Sequence, residues 1–301
     1  MQNNFGTVEK RTVNNMRKII EKKSKSNIKF KFECFDSIGE VIESNHKREC
    51  KDDWKNSWDK LTDKLVADNE SFFGCSSIEE AYGLIKDGWT EGTKSMLGKV
   101  EKIGKTQNRV KVMFENHQVG FAPNVARAVQ NMPNCMIRAK RIPVKSKIVT
   151  IIFDSCSKGS TSSNDLLQAG LNVLELIIGL EARGYRVNLK VARGNYNKSL
   201  NEVCVLICDV KKASEPINLK KIAFPIAHPS WFRIVAFDWQ EKSPITPYVS
   251  QRGQSYYIAV DVGNVKSGDM ESVLDNNVFY ITHKDAILGV DNLVNKIKLA
   301  K

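Results

Sequence analysis

The sequence lacks most of the short signatures that announce a chemistry. Its seven cysteines, at 34, 50, 75, 135, 156, 204 and 208, are odd in number and contain no CxxC pair. This argues against a disulfide framework and against a zinc site, and predicts reduced thiols. The four histidines, His46, His117, His228 and His283, form no HExxH and no Cys/His cluster, so metalloprotease and zinc-nuclease readings lack their ligands. Neither GxGxxG nor GxxxxGK followed by Ser or Thr occurs, which removes the dinucleotide and phosphate-loop fingerprints. No apolar run approaches the roughly 20 residues a bilayer span needs. The polar start Met1-Gln-Asn-Asn lacks the layout of a signal peptide. These absences predict a soluble intracellular protein with no membrane partner. No internal repeat or low-complexity tract is visible.

What is present is enough apolar residue to build cores. With 42 % hydrophobic and 27 % charged residues over 301 positions, the chain reads as globular and about two domains long. The formal charge of +12 is unevenly spread. Residues 101–150 carry ten basic and two acidic side chains, and between Glu115 and Asp154 there is no carboxylate at all. Such confinement points to a polyanion-binding surface, where a scattered excess would be a solvated face. The candidate phosphate ligands are Lys105, Arg109, Lys111, Arg127, Arg138, Lys140, Arg141, Lys145 and Lys147. No base-specific motif accompanies them, so DNA and RNA are equally open.

Hydrophobic spacing divides the chain near residue 140. The polar stretch 1–32 reads as a surface helix or arm, and Trp54 and Trp58 share a face if helical. Ser76–Trp89 carries a capped-helix pattern that Gly88 or Gly92 ends or interrupts, and Arg109-Val-Lys-Val-Met-Phe alternates like a strand. Residues 136–147 read as a basic linker or edge strand, because proline at 143 is poorly tolerated inside a sheet. After 147 the pattern changes. Ile148-Val-Thr-Ile-Ile-Phe reads as a buried central strand ending in Asp154, followed by a hydroxyl-rich loop and a long apolar helix from Asp165. Further strands fall at 184–192, 203–210, 255–261 and 278–282, with helices near 215–228 and 291–297. Cys204 and Cys208 read as small core residues. The expected architecture is α/β: a mixed α+β region over 1–140, then over 145–301 a doubly wound, mostly parallel sheet of von Willebrand A-like or Rossmann-like type.

The strand ending in Asp154, the hydroxyl loop and the apolar helix resemble the von Willebrand factor A fold, whose DxSxS motif binds a divalent metal. In Asp154-Ser-Cys-Ser-Lys the two serine positions hold Cys156 and Lys158, and Lys158 offers Asp154 a counter-charge. The resemblance therefore implies at most a shifted magnesium site at Asp154, Ser157 or Ser160, and Asp261 or Asp238; no other cofactor is expected. His228, near Arg233 and Asp238, is the best acid–base candidate, and Asp154, Asp209, Asp238 and Asp261 lie at or near strand ends.

The pieces Gly88-Trp-Thr-Glu-Gly, Val119-Gly-Phe-Ala-Pro-Asn-Val-Ala-Arg-Ala-Val-Gln-Asn-Met-Pro-Asn-Cys-Met, Leu180-Glu-Ala-Arg-Gly-Tyr-Arg-Val and His228-Pro-Ser-Trp-Phe-Arg occur in that order over about 75–245. They resemble an uncharacterised family of tailed-phage proteins. The resemblance implies a viral context in the host cytoplasm and carries no catalytic residues. Three functions follow as expectations. The first is a phage-encoded, non-enzymatic nucleic-acid-binding protein of replication, packaging or host takeover. The second is a protein-interaction module that grips a host or virion partner through the α/β domain, and the third is a metal-dependent phosphoesterase.

Overall fold

The computed structural model describes residues 18–52, 60–103, 110–143, 147–197, 200–246, 267–275 and 277–299. Its strands are β1 (Lys18–Lys23), β2 (Lys29–Phe35), β3 (Val110–His117), β4 (Ala122–Pro123), β5 (Met136–Pro143), β6 (Ile148–Asp154), β7 (Arg186–Asn197), β8 (Glu202–Lys211) and β9 (Val278–Thr282). Six of them form one sheet in the order β1-β2-β8-β7-β6-β9, and the other three a small sheet in the order β3-β5-β4. In the large sheet β2–β8, β6–β7 and β6–β9 run parallel, while β1–β2 and β7–β8 are antiparallel. The fold is α/β with a mostly parallel sheet.

The apolar run of β6 lies inside the sheet, between β7 and β9. Val149, Ile151 and Phe153 enter the larger core and Ile152 the smaller one on the other face. The Ser163–Ala182 helix, whose Ser162 and Asp165 form a reciprocal capping box, covers the larger core. Gly170 lets that helix touch the Leu219–Ala227 helix, since a Cβ there would stand 2.6 Å from the Ala227 Cβ. Leu219–Ala227 leads into a π-helical turn, Trp231–Val235, and the Ala236–Lys242 helix. The carbonyls of Val235 and Ala236 accept hydrogen bonds from the Asn45 amide and the buried Arg193 guanidinium, so the irregular turn is held from two sides. Among the described residues, the smaller core is capped by Met270 and Val273 of the Ser267–Val273 helix.

Several expectations are corrected. Residues 18–23 form neither a helix nor an arm: they are the edge strand β1, whose lysines and Glu21 suit an unpaired edge. Strand β2 pairs in parallel with β8, so the large sheet draws strands from both sides of the division expected at 140–145. Strand β7 returns directly as β8 in an antiparallel hairpin, because the link from Asn197 to Glu202 is too short for a helical crossover. Strand β5 is neither linker nor edge but the middle of the small sheet; Pro143 is tolerated because it is the last residue of the ladder, opposite Val110. Gly92 does not break the Thr90–Ile103 helix: a Cβ there would overlap the Trp89 ring, so glycine permits that packing. The Trp54–Trp58 pair and the strand expected at 255–261 lie outside the described residues.

Candidate nucleic-acid interface

The basic segment contains the small sheet. Antiparallel register sets Met113 opposite Lys140, Phe114 opposite Ala139, Glu115 opposite Arg138 and His117 opposite Met136. Because successive side chains alternate, Met113, Glu115, His117, Arg138 and Lys140 belong to one face, and Phe114, Ala139 and Ile137 to the other. The return is made by residues 118–135. Gly120 passes against β5 so closely that a Cβ would stand 2.1 Å from the Ile137 carbonyl oxygen, and the Phe121 N–H donates to that carbonyl at 2.9 Å. The Asn124 side chain then caps the short Val125–Val129 helix, and Asn131 and Asn134 take left-handed backbone at φ 53° and 59°.

On the charged face, the Lys140 ammonium lies 3.0 Å from a Glu115 carboxylate oxygen and the Arg138 guanidinium 3.8 Å from the other. Those cations hold the Glu115 carboxyl below its ordinary value, the Lys140 hydrogen bond first among the causes. Arg138 also reaches His117 at 3.4 Å. Arg127, on the short helix, donates to the Pro133 carbonyl at 3.2 Å. Of the nine predicted phosphate ligands, Arg138, Lys140 and Lys147 are exposed and Arg127 is half-buried. Lys111 and Arg141 sit in β3 and β5 with side chains outside the described residues, and Lys105, Arg109 and Lys145 lie outside them altogether. The cation list missed the aromatic pair: Phe114 and Phe121 are 66 % and 69 % exposed, with ring centroids 5.9 Å apart. Two phenylalanines inside the basic segment were the available signal.

Among the other candidates, Asp154, Asp209 and Asp238 have partners within the fold. Asp154 is buried; it accepts the Tyr280 hydroxyl and, at 2.9 Å, the Cys156 N–H. Burial pushes its carboxyl up to about 6, against the pull of those donors. Lys158, the expected counter-charge, is exposed, and the neutral Tyr280 from β9 takes that role. Ser157 is buried with its hydroxyl unpartnered, Ser160 is exposed, and Asp261 lies outside the described residues. Both Asp154 oxygens are engaged, and no group of three metal-ligating side chains stands among the described residues, to which Asp261 does not belong. Asp238 is held elsewhere, by the Tyr82 hydroxyl at 2.5 Å and Lys242 at 2.8 Å, and Asp209 by Lys190 at 2.5 Å.

His228 is wedged between Phe224, stacked at 5.0 Å, and the edge of Trp89, and its Nδ1 accepts the Ser230 N–H. Burial pulls it down to about 4, so it is neutral at pH 7. Arg233 donates to the carbonyls of Phe72 and Thr161 and lies over the Phe72 ring. A fully buried carboxylate that drew no attention in the sequence, Glu33, accepts Arg48, the Trp239 indole N–H at 2.7 Å and the Ser243 hydroxyl. It ties β2 to the Ala236–Lys242 helix. No helix among the described residues is long and apolar enough to cross a membrane.

The pattern of a family described as a domain of unknown function, DUF7192, matches residues 17–285. The chain belongs to this family. The matched span takes in all nine described strands and therefore both sheets. No curated protein and no solved structure matches the sequence.

Proposed function

We propose that this DUF7192 protein is a non-enzymatic nucleic-acid-binding protein, encoded by a phage and acting in the host cytoplasm during replication, packaging or host takeover. It holds DNA or RNA through phosphate contacts from the 101–147 segment. The observation that carries the reading is that this segment, with ten basic and two acidic side chains, includes a small sheet that presents Arg138 and Lys140 to solvent. Each such cation releases condensed counterions when it meets a phosphate, so affinity falls steeply with salt. The resemblance of the 119–136 motif to tailed-phage proteins supports the viral context. A fluorescence-anisotropy titration with labelled DNA and RNA over a salt series tests the reading. Binding that weakens log-linearly with salt is expected, and no binding of either polymer at low salt overturns it.

A second reading, a protein-interaction module, draws support from the exposed apolar side chains of the same sheet, which a phosphate backbone does not use. It predicts co-purification of a protein that survives nuclease treatment.

A further inference from the structure

Away from the small sheet, a cleft of about 620 Å³ is lined by the Ile38–Lys47, Ile78–Asp87 and Leu219–Ala227 helices. That is the size of a pocket for a small organic molecule. Its floor is apolar: Ile38, Tyr82 and Phe224 are buried there, and Ile42 and Ile85 are half-buried. Two glycines keep it open. A Cβ on Gly83 would meet nothing within 4 Å, and one on Gly39 only the Ser37 hydroxyl oxygen, at 3.7 Å. No close approach of another chain segment calls for either glycine, and Gly83 weakens the interior of its helix, where alanine would fit.

The charges around this floor are unevenly placed. Glu79, Tyr82, Gly83 and Lys86 line the cleft at helical spacing, so one face of the Ile78–Asp87 helix runs along it and ends at Lys86. Lys220 stands at the same end, because its Cβ is 3.4 Å from where a Cβ on Gly88 would be. Lys86 and Lys220 are exposed and form no ion pair. The other two lysines of the rim are each occupied, Lys221 by Glu215 at 3.2 Å and Lys47 by Glu43. Glu79 lies about 10 Å back along the helix from Lys86, at the standard rise per residue.

We propose that this cleft binds a small amphipathic organic anion, its apolar body on the floor between Tyr82 and Phe224 and its carboxylate or phosphate head at Lys86 and Lys220. The floor rewards any apolar body of the right size, so it does not choose among head groups. The two unpaired lysines do. An anionic head completes an ion pair with each, a neutral head gains no such pair, and a cationic head is repelled. None of these residues lies in the 101–147 segment, so the nucleic-acid reading stands or falls separately.

Isothermal titration calorimetry of the full chain with decanoate, decyl phosphate and decylammonium tests it, since the three share a tail and differ in the head. Saturable binding of the anions is expected, with decylammonium weaker by at least about tenfold. Gly83→Leu fills the open space beside the floor and favours the helix, so it is expected to abolish decanoate binding with the melting temperature unchanged or raised. Lys86→Glu with Lys220→Glu alters two exposed side chains, leaves the floor intact, and is expected to reverse the preference in favour of decylammonium. Equal affinity of the parent chain for decanoate and decylammonium overturns the proposal. So does decanoate binding by Gly83→Leu at the parental affinity, or no binding of either anion by the parent up to about 1 mM.

Discussion

The two sheets of this protein are built from similar residues and differ in what surrounds them. In the large sheet, Phe153, Phe30 and Tyr280 are at most 1 % exposed, and even its charged groups are provided for, Glu33 by four donors and Asp154 by two. In the small sheet, Phe114 is 66 % exposed and the ion pairs of Glu115 lie in solvent. One sheet is held by its own packing. The other is held by backbone pairing and turn chemistry, with Gly120, Asn124, Asn131 and Asn134 fixing its return. The contrast teaches that apolar content alone does not identify a core, and that a sheet which forgoes burial is built for contact with something else.

The sharpest way to test the contrast is to make the same change in both sheets. Phe153→Ala is expected to cost about 3–5 kcal/mol of stability, the range for emptying an aromatic site in a packed core. Phe114→Ala is expected to stay within about 0.5 kcal/mol when measured by urea denaturation at high dilution, as for surface changes generally. Comparable losses at the two sites would erase the distinction.

The interior's handling of charge gives a pH prediction. Asp154 is raised to about 6 from 3.8, so its contribution is present below the lower value and lost as pH rises through the upper one. His228 is lowered to about 4 from 6.5, so its contribution is present above 6.5 and lost as pH falls through 4. Across about pH 4 to 6 these two groups oppose and nearly cancel. Asp154→Asn keeps an acceptor for the Cys156 N–H and a donor for the Tyr280 oxygen while removing one side of that balance. Relative to the parent, the variant is expected to lose about 3 kcal/mol more stability as pH falls from 6.5 to 4. Superimposable profiles would mean that Asp154 ionises normally. Magnesium is expected to raise the melting temperature of neither protein.

How much was readable before the structure follows the same division. Strand β6, its capping serine at 162 and the Ser163–Ala182 helix were legible because burial on both faces and helix capping leave local marks. The place of β2 was not, since parallel pairing with β8 joins residues more than 170 positions apart and nothing local encodes it. Nor was the partner of Asp154: Lys158 was near in sequence, but the pleat and the β6–β9 register bring Tyr280 to it instead. The basic residues of the candidate interface were legible as composition. Which of them share a face with Glu115, and that Phe114 and Phe121 meet on the other side, depended on a register that alternation alone does not fix.

A smaller effect is expected on the charged face. Glu115→Gln frees Lys140 and Arg138 from their shared carboxylate without touching a core. Nucleic-acid affinity should rise several-fold at low salt with the melting temperature unchanged. Weaker binding would mean that Glu115 positions the two cations for the ligand.

The central claim is that the small sheet's charged face meets phosphate, and the salt dependence of binding tests it most directly. The slope of log affinity against log salt should fall by about 1.4 to 1.8 in Arg138→Gln with Lys140→Gln, at 0.7 to 0.9 per lost phosphate contact. The melting temperature should not change, because both side chains are exposed. An unchanged slope in the double variant would contradict the account.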